Sequence, residues 1–380
     1  MDNKKIGVAI IGCGNRARYT VKNLLRDSNN NVEIISVYDP IESAADDALK
    51  LWEVAPDKCI KATSSANAIA VEGVEWVMVY SPNVFHKQHI LEAFAAGKHV
   101  FSEKPLATSI EDCKEIYDAH QANGLLFATG FVLRYSPLYR RVKEMLSGGE
   151  FGQLLSVEAN ENITPSHGGY IMRNWRRKSS IAGPHILEKC CHDLDLLLWF
   201  CNSLPSKVFF TGTKNVFKPE NRQMEEKYGV ETYNSWGGHD QIDTAFNDDS
   251  DMMDTSMGTA ILRNGVQVSF CATMCNAVPE RRMRFNCAEG TIIAELYSSS
   301  ITYRKLSSSE TNTIKFGADG HGGGDEYIMK SLYETMSKGT LPECSGNEGL
   351  ESAVFALALD LSARTKESID LEDTWKYLNR

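Results

Sequence analysis

A histidine lies between two carboxylates at helical spacing: Glu188, His192 and Asp195 follow at intervals of four and three residues. On a helix predicted over residues 187–200, these intervals place all three side chains on one face. A carboxylate beside an imidazole raises the basicity of the ring and fixes its tautomer. The pattern is typical of a base that removes the proton of a hydroxyl group. The alternative is a capped or buried histidine at a domain boundary.

A lysine follows the short predicted strand 99–101 in the segment Ser102-Glu103-Lys104-Pro105. In open α/β sheets, ligands gather outside the carboxyl ends of the strands, so Lys104 is expected to face a bound ligand. Partial burial and nearby positive charge lower a lysine pKa enough for proton transfer. The residue before a proline is also kept out of helical geometry, which helps to set the direction of the lysine. Taken alone, a Glu-Lys-Pro tripeptide is more often a surface turn.

The turn Gly12-x-Gly14-x-x-Ala17 comes directly after the apolar run 6–11 and opens a helix predicted over 16–26. The first glycine permits a tight turn, the second lets the backbone approach a pyrophosphate, and the small third residue keeps helix and strand close. The backbone around Asn15 and Arg16 then offers helix N-terminal amides to the phosphates. The turn predicts a dinucleotide site, and the alternative is an ordinary strand–helix turn.

An acid closes the second predicted strand, because Asp39 follows the run 32–38 and lies 22 residues after Ala17. A carboxylate at this position accepts both ribose hydroxyls of an adenosine and repels a 2′-phosphate. Since no arginine follows in Pro40-Ile41-Glu42, the sequence predicts NAD as the cofactor rather than NADP. The alternative for Asp39 is a turn-forming residue before proline.

Several polar and aromatic residues are candidates for binding the substrate. They are Arg134 and Tyr135 after the strand 125–129, His167, Arg173, Trp175 and Arg176 after the strand 154–162, Asp195 beside His192, and His321 and Asp325 in the glycine-rich run 320–325. Aromatic and guanidinium groups stack on sugars or bind carboxylates. Consecutive glycines are costly to order unless a backbone approaches a ligand closely. The alternatives are a solvated loop with one packed tryptophan and a flexible turn in which Asp325 caps a helix over 326–337.

The elements that must position these residues fall into two regions. Residues 1–130 alternate short apolar strands with helices, which predicts a Rossmann domain with a doubly wound parallel sheet. Residues 131–380 contain longer alternating runs separated by turns and interrupted by helices, which predicts a second α/β domain with a mostly antiparallel sheet. The polar stretch 214–254 is predicted to be a surface excursion and a candidate lid. The last helix is a candidate to pack back on the first domain.

Composition argues against some partners and sites. The formal net charge is -10, and an acidic protein repels phosphate backbones, so nucleic acid is not expected as a partner. No apolar run approaches the roughly 20 residues that span a bilayer, and no secretory segment precedes the first strand. We therefore expect a cytoplasmic protein with reduced cysteines. Cys190 and Cys191 would point about 100° apart on a helix and do not easily share one zinc ion, so no metal is expected.

Four segments together resemble the Gfo/Idh/MocA oxidoreductases, which include glucose–fructose oxidoreductase and inositol dehydrogenase. They are the Gly12–Ala17 turn, Tyr80-Ser81-Pro82-Asn83 with His86, Glu103-Lys104-Pro105-Leu106-Ala107, and Glu188-x-x-x-His192-Asp193-Leu194-Asp195. Their order and spacing match the family over nearly the whole chain. The resemblance implies a Rossmann domain and a substrate-binding and oligomerisation α/β domain with a large open sheet, hydride transfer between NAD(P) and a sugar or polyol, and a homodimer or homotetramer formed through that sheet.

The resemblance also implies roles for individual residues. Lys104 and His192 match the catalytic lysine and histidine of the family, and Glu188 stands where the family often has an aspartate. Two sets match positions around the cofactor: Ser81, Pro82, Asn83 and His86 in a bordering loop, and Glu103 near the nicotinamide ribose.

Three functions follow as hypotheses. The first is an NAD-dependent dehydrogenase acting on a secondary hydroxyl or carbonyl of a sugar, polyol or glycoside. The second is an NAD-dependent glycosidase or lyase that works through transient oxidation at C3, because the His-Gly-Gly-x-Asp pattern around His321 resembles a glycosidase branch of the family. The third is a non-catalytic NAD-binding protein, against which the joint presence of Lys104 and His192 argues.

Overall fold

The computed structural model describes residues 5–237, 240–317 and 320–380, and these residues form two compact units. The first unit contains residues up to 135 together with 324–350, and the second contains 136–323 and 351–380. The sequence-based division assigned all of 131–380 to one domain, whereas 324–350 belong to the first unit. Residues 1–4 and 238–239, on which the predictions about the N-terminal segment and the excursion partly rested, lie outside the described residues.

The helices agree with most of those predicted, and the shortest ones were not foreseen. None of the described helices combines the length and apolar character needed to cross a membrane. Numbered along the chain, the helices are α1 (Asn15–Asp27), α2 (Glu42–Leu51), α3 (Ser65–Ile69), α4 (His86–Ala95), α5 (Ile110–Asn123), α6 (Pro137–Ser147), α7 (Pro165–Arg173), α8 (Ser179–Ala182), α9 (His185–Glu188), α10 (Cys191–Cys201), α11 (Gln223–Tyr228), α12 (Gly324–Lys338), α13 (Gly346–Thr365) and α14 (Glu372–Tyr377).

The first unit is built on a parallel sheet, which confirms the predicted Rossmann architecture. Its strands are β1 (Ile6–Ile11), β2 (Val32–Tyr38), β3 (Ile60–Lys61), β4 (Trp76–Val79), β5 (His99–Ser102) and β6 (Phe127–Thr129). Their order across the sheet is 3-2-1-4-5-6, with every pair parallel. Strand β1 is central and buried from Val8 to Ile11, as its uninterrupted apolar run requires. The strand order reverses between β1 and β4, and ligands bind at the carboxyl ends beside such a reversal.

Helix α12 is linked to the rest of the first unit by hydrogen bonds and an ion pair with residues of α1 and of the segment that follows α1. Arg16 Nη1 lies 2.6 Å from Asp325 Oδ1, and Asn23 Nδ2 donates to the Asp325 carbonyl oxygen at 3.4 Å. Asn31 Nδ2 donates to Tyr333 Oη at 3.1 Å. These contacts join residues about 300 positions apart in the chain, which is why no local sequence pattern predicted the boundary.

The second unit contains the predicted mostly antiparallel sheet. Its strands are β7 (Leu154–Asn162), β8 (Pro205–Thr213), β9 (Thr255–Leu262), β10 (Gln267–Thr273), β11 (Arg282–Cys287), β12 (Gly290–Glu295), β13 (Ser300–Lys305), β14 (Asn312–Lys315) and β15 (Ile369–Asp370). Their order is 14-13-12-11-7-10-9-8-15, and among the strands of this unit the pair β7–β10 is parallel while the other pairs are antiparallel.

Alternation along β8 and β9 separates a buried face of the sheet from an exposed one. Phe210 and Ala260 are buried, whereas Phe209, Met257 and Ile261 are each more than two-fifths exposed. Successive side chains of a strand point to opposite faces, so these exposed apolar residues share the face that points away from the core.

The stretch 214–254, predicted to be a surface excursion, carries a small core of its own in its described residues. Phe217, Tyr233 and Phe246 are 2 % exposed or less and pack with Ile171 and Met172 of α7, in a region for which a solvated loop was one of the alternatives. The three aromatic rings supply much of this core, since each has a large buried surface.

Two features hold this stretch in place. The buried Asp254 carboxylate accepts backbone N–H bonds from Asn215, Val216 and Phe217 at 2.8–3.1 Å, which closes the base of the stretch. At α7, a Cβ on Gly169 would lie 1.8 Å from the Tyr233 carbonyl oxygen. The glycine in His167-Gly168-Gly169-Tyr170 therefore permits close packing of two backbones, not a flexible loop.

The helix predicted over 187–200 is interrupted, which corrects the argument that placed three functional residues on one face. Helix α9 ends at Glu188 and α10 begins at Cys191, so Glu188 and His192 belong to different helices. His192 and Asp195 remain three residues apart within α10. The contacts of Glu188 are consequently set by the fold and not by the interval of four residues.

Candidate active site

The glycine turn after β1 has the geometry of a phosphate-binding turn. Gly12 has φ +93°, and an added Cβ would lie 2.7 Å from the backbone carbon of Tyr80, so only glycine fits. Gly14 caps α1 without a side-chain hydrogen bond, and a Cβ there would meet nothing within 4 Å. With no acid in the first turn of α1, this helix N-terminus suits an anionic group.

Asp39 follows β2 and is held beside this turn. Its Oδ2 accepts the Cys13 N–H at 2.8 Å, and its Oδ1 accepts the Ile41 N–H at 2.9 Å. The carboxylate is half-buried and its direction is fixed by two backbone donors. A fixed negative charge at the end of the second strand accepts ribose hydroxyls and disfavours a 2′-phosphate.

Arg16, predicted to bind the cofactor, is engaged by two carboxylates of the first unit. Its Nε lies 2.6 Å from Glu103 Oε1, and its Nη1 lies 2.6 Å from Asp325 Oδ1. Asp325 was predicted to bind substrate, and its contact with Arg16 was not foreseen. Arg16 therefore ties the glycine turn to the Lys104 segment and to the start of α12.

The predicted cofactor loop and the Lys104 segment are joined through a buried histidine. The imidazole of His86 has Nδ1 2.8 Å from the Pro105 carbonyl oxygen and Nε2 2.8 Å from the Ser81 carbonyl oxygen. His86 is 1 % exposed, and burial lowers its pKa, while the contacts with the two carbonyl oxygens oppose that effect. Pro82 and Asn83 lie in the same loop, where Asn83 is buried. Lys104 follows β5, is half-buried, and forms a cis peptide bond with Pro105.

Arg134 and Tyr135 are the last two residues of the N-terminal segment of the first unit. Tyr135 is buried. Arg134 Nη1 lies 4.0 Å from Glu348 Oε1, and the same glutamate accepts the Ser345 N–H at 2.7 Å. Arg134 thus faces an acid of the α13 N-terminus.

In the second unit, the structure brings together two histidines predicted from separate segments. The rings of His192 on α10 and His321 in the glycine run have centroids 5.9 Å apart. The run is held by Ser136 Oγ, which donates to the Gly322 carbonyl oxygen at 2.8 Å, and Gly322 has φ +63°. His192 is 3 % exposed and His321 is half-buried, so His321 is the more accessible of the pair.

Comparison with known proteins identifies the family. Residues 6–131 match the model described as "Oxidoreductase family, NAD-binding Rossmann fold", and residues 139–293 match the "GFO/IDH/MocA C-terminal domain". The chain belongs to the Gfo/Idh/MocA oxidoreductase family. The resemblance inferred from the motifs is confirmed, and the first unit is an NAD-binding Rossmann domain.

Individual Gfo/Idh/MocA relatives differ in the reactions their names describe. An inositol 2-dehydrogenase of Gluconacetobacter diazotrophicus is 30 % identical over 236 residues, which are 59 % of this chain and 65 % of that protein. A 2,7-anhydro-N-acetylneuraminate hydratase of Mediterraneibacter gnavus is 29 % identical over 211 residues, which are 55 % of this chain and 53 % of that protein. The solved levoglucosan dehydrogenase, in complex with NADH and levoglucosan, superposes with a TM-score of 0.81 at 17 % identity and covers 97 % of this chain and 100 % of that one. This last likeness shows the fold.

Glu188, where the Gfo/Idh/MocA family often has an aspartate, is paired with an arginine. Arg176 Nε lies 2.7 Å from Glu188 Oε1. The Arg176 guanidinium also lies 4.2 Å from the Trp175 ring centroid and 5.0 Å from that of Tyr170. His167 belongs to the same neighbourhood, with its ring 6.3 Å from Tyr170. Of the residues predicted in this region, Arg173 points elsewhere and donates to the Ile242 carbonyl oxygen at 3.0 Å.

A buried ion network next to His192 was missed by sequence reasoning. Arg281 donates two hydrogen bonds to Asp193, from Nε to Oδ1 at 2.8 Å and from Nη2 to Oδ2 at 2.7 Å. Glu161 is fully buried, 3.3 Å from Arg281 Nη1 and 3.4 Å from Lys189 Nζ. Burial opposes its charge, but the two cations outweigh that effect and lower the pKa of Glu161 to about 2. Because Arg281 lies 88 residues from Asp193, no sequence spacing could reveal the network.

The sequence predicted no metal site and reduced cysteines, and the structure describes the side chains concerned. In residues 5–237, 240–317 and 320–380, no three His, Cys, Asp or Glu side chains are grouped to hold a metal ion. None of the ten cysteines, all of which lie among the described residues, forms a disulfide. Cys190 and Cys191 are fully buried, and burial raises the pKa of Cys190, so this thiol is unreactive.

Proposed function

We propose that this protein transfers hydride between NAD and a secondary hydroxyl or carbonyl carbon of a sugar, polyol or glycoside. The observation that carries the proposal is the open space above Gly14 at the start of α1. Lys104 follows β5, a strand of the parallel sheet in the same unit. The dehydrogenase relative supports the same class of substrate. NAD, when bound, would supply the carbon that accepts or gives the hydride.

The chain's own residues would bind the cofactor and accept the proton of the substrate hydroxyl. The amides at the start of α1 would hold the pyrophosphate, and Asp39 would hold the adenosine ribose. We propose Lys104 and His192 as the residues that take the hydroxyl proton while the carbon loses its hydride. His321 beside His192 would then bind a neighbouring hydroxyl of the sugar. Glu188 would act as a positioning residue through Arg176 and not by a direct contact at helical spacing.

The test is turnover and cofactor binding of the Lys104→Ala variant. Purified protein with NAD is screened against sugars, polyols and aryl glycosides while NADH absorbance is followed. We expect the variant to lose two or more orders of magnitude of turnover, on the order of a lost general acid–base group, while NADH titration shows unchanged affinity. Lys50→Ala, on the exposed surface of α2, is the matched control. Unchanged turnover in Lys104→Ala would remove this lysine from the mechanism.

A redox-neutral reaction is the second candidate, because a relative that matches over half of this chain is named a hydratase. In this case the substrate carbon is oxidised, the neighbouring C–H is acidified, elimination or addition follows, and the hydride returns, so no NADH accumulates. Following released aglycone and NADH in the same cuvette separates the two functions. Cleavage of an aryl glycoside with no net NADH selects the second candidate.

We also propose that the chain forms a homodimer or homotetramer through the outer face of the second-unit sheet. Phe209, Met257 and Ile261 supply apolar surface on that face, as interfaces between identical subunits require. Light scattering coupled to size exclusion measures the mass. Replacement of Met257 and Ile261 by lysine is expected to yield monomers.

A further inference from the structure

A cluster of aromatic rings in the second unit leaves one tryptophan largely in solvent. The Trp236 ring lies 4.9 Å from that of His167 and 5.4 Å from that of Tyr170, with interplanar angles of 86° and 88°. Trp236 is 57 % exposed, whereas Trp76 and Trp375 are 2 % exposed or less. Two perpendicular neighbours therefore fix the orientation of an indole whose surface remains open to a ligand.

Packing of the stretch 214–254 does not explain this tryptophan. The aromatic residues that form the core of that stretch, Phe217, Tyr233 and Phe246, are buried together. Trp236 is not part of that core and contacts His167 and Tyr170 of α7. Trp236 differs from a singly exposed apolar residue because it is clustered with two further rings, and an indole held in this way is a candidate recognition element.

A line of contacts connects Trp236 with Glu188, the last residue of α9. Tyr170 contacts Trp236, the Arg176 guanidinium lies 5.0 Å from the Tyr170 ring, and Arg176 pairs with Glu188 at 2.7 Å. His167, which contacts Trp236, interacts electrostatically with Glu188 and with Glu161 of the ion network next to His192. The aromatic cluster therefore adjoins, within the second unit, the network beside the proposed base.

We infer that Trp236, Tyr170 and Arg176 form a subsite for a second sugar ring, so that the substrate is a disaccharide or longer glycoside. This inference rests on the proposed function and narrows its substrate class. The apolar C–H face of a pyranose ring stacks on the face of an indole ring. A guanidinium carries planar N–H donors for hydroxyl groups, and its Nε–H is already bound to Glu188. Since Glu188 compensates the charge of Arg176, the subsite fits a neutral sugar better than an acidic one.

The first test compares disaccharides with their component monosaccharides. Cellobiose, maltose and lactose are assayed against glucose and galactose with NAD, for the wild type, Trp236→Ala and Trp236→Phe. We expect at least one disaccharide to have a lower KM than its monosaccharides in the wild type. Trp236→Ala is expected to raise that KM about tenfold, as the loss of one stacking contact implies, without changing kcat/KM for monosaccharides. Trp236→Phe is expected to restore part of the affinity.

The second test reads binding without turnover. Tryptophan emission is titrated with the same sugars in the absence of NAD, and we expect a disaccharide-dependent change that Trp236→Phe abolishes. Tyr228→Ala is the matched control, because Tyr228 is 51 % exposed on α11 of the same stretch, and we expect it to behave as the wild type. Melting temperatures of all variants are measured to check that each variant is folded.

The outcomes separate this inference from the proposed function. Oxidation of monosaccharides with no advantage for any disaccharide, and no effect of Trp236→Ala, would overturn the second-ring subsite and leave the oxidoreductase intact. An advantage limited to p-nitrophenyl glycosides would overturn it in favour of an aromatic aglycone. Disaccharide binding through Trp236 without any NAD-dependent turnover would support the subsite and count against the hydride-transfer proposal.

Discussion

Two alanine substitutions in the glycine turn separate packing from cofactor binding. In Gly12→Ala, the new Cβ would lie 2.7 Å from the backbone carbon of Tyr80 and 2.8 Å from the nitrogen of Ser81. The first distance is about 0.7 Å short of ordinary contact, and neither partner is a flexible side chain. The left-handed φ of +93° adds roughly 1–2 kcal/mol for a residue with a Cβ, and overpacking adds about 1–3 kcal/mol.

We therefore expect Gly12→Ala to lose about 2–5 kcal/mol of unfolding free energy. That loss lowers the melting temperature by roughly 5–15 °C in a domain of this size. Gly14→Ala is the contrasting variant, because its φ of -72° suits alanine and the Cβ would meet nothing within 4 Å. Its melting temperature should match the wild type, but the methyl group fills the space that a pyrophosphate needs, and NADH affinity should fall tenfold or more.

Differential scanning calorimetry and NADH fluorescence titration measure the two quantities. Wild-type NADH affinity in Gly14→Ala would refute the placement of the pyrophosphate over this residue. An unchanged melting temperature in Gly12→Ala would refute the packing argument, whatever its effect on the cofactor. The pair is informative because one substitution changes fold and binding together, whereas the other changes binding alone.

Three further predictions follow from single contacts. Asp39→Asn removes the charge that disfavours a 2′-phosphate, so calorimetric titration should show the NADH-over-NADPH preference reduced about tenfold, and an unchanged ratio would contradict this. Gly169→Ala places a Cβ 1.8 Å from the Tyr233 carbonyl oxygen, so limited trypsin digestion should cleave the stretch 214–254 faster than in the wild type, and equal rates would count against the packing. His89 and His185 are buried with pKa values lowered by burial to about 4, so the unfolded chain takes up their protons first as pH falls below 6.5. Urea unfolding should therefore show stability falling by about 2 kcal/mol for each histidine between pH 7 and pH 5, with a shallower fall in His185→Gln.

Much of the first unit could be predicted from local sequence. The run 6–11, the Gly12–Ala17 turn and Asp39 each lie within one strand–turn–helix segment, so their consequences are encoded by neighbouring residues. Buried parallel strands are apolar throughout and helices show a period of 3.6, and both signals survive without tertiary information. Strand β3 was missed because two residues are too few to show any period.

The second unit was predicted less completely, and each error has a physical cause. Residues 187–200 have a helical pattern, yet the helix is interrupted between Glu188 and Cys191. The polarity of 214–254 hid three buried aromatic rings, since composition averages over a stretch and does not show which side chains point inward. The sequence left a solvated loop open as one alternative for the segment of Gly168 and Gly169. The close approach of a second backbone, which requires glycine at these positions of a helix, is not visible in sequence.

The sequence by itself determined the class of the protein: a Rossmann turn, an acid that favours NAD, and a lysine and a histidine in segments typical of one oxidoreductase family. Those features depend on residue types at short spacing, where geometry follows from the periods of strand and helix. Only the tertiary structure decided the partners of the charged groups, namely Arg16 with Asp325, Arg281 with Asp193 and Arg176 with Glu188. Two of these pairs join residues 309 and 88 positions apart. A buried charge such as that of Arg281 needs an opposite charge wherever the fold brings one close.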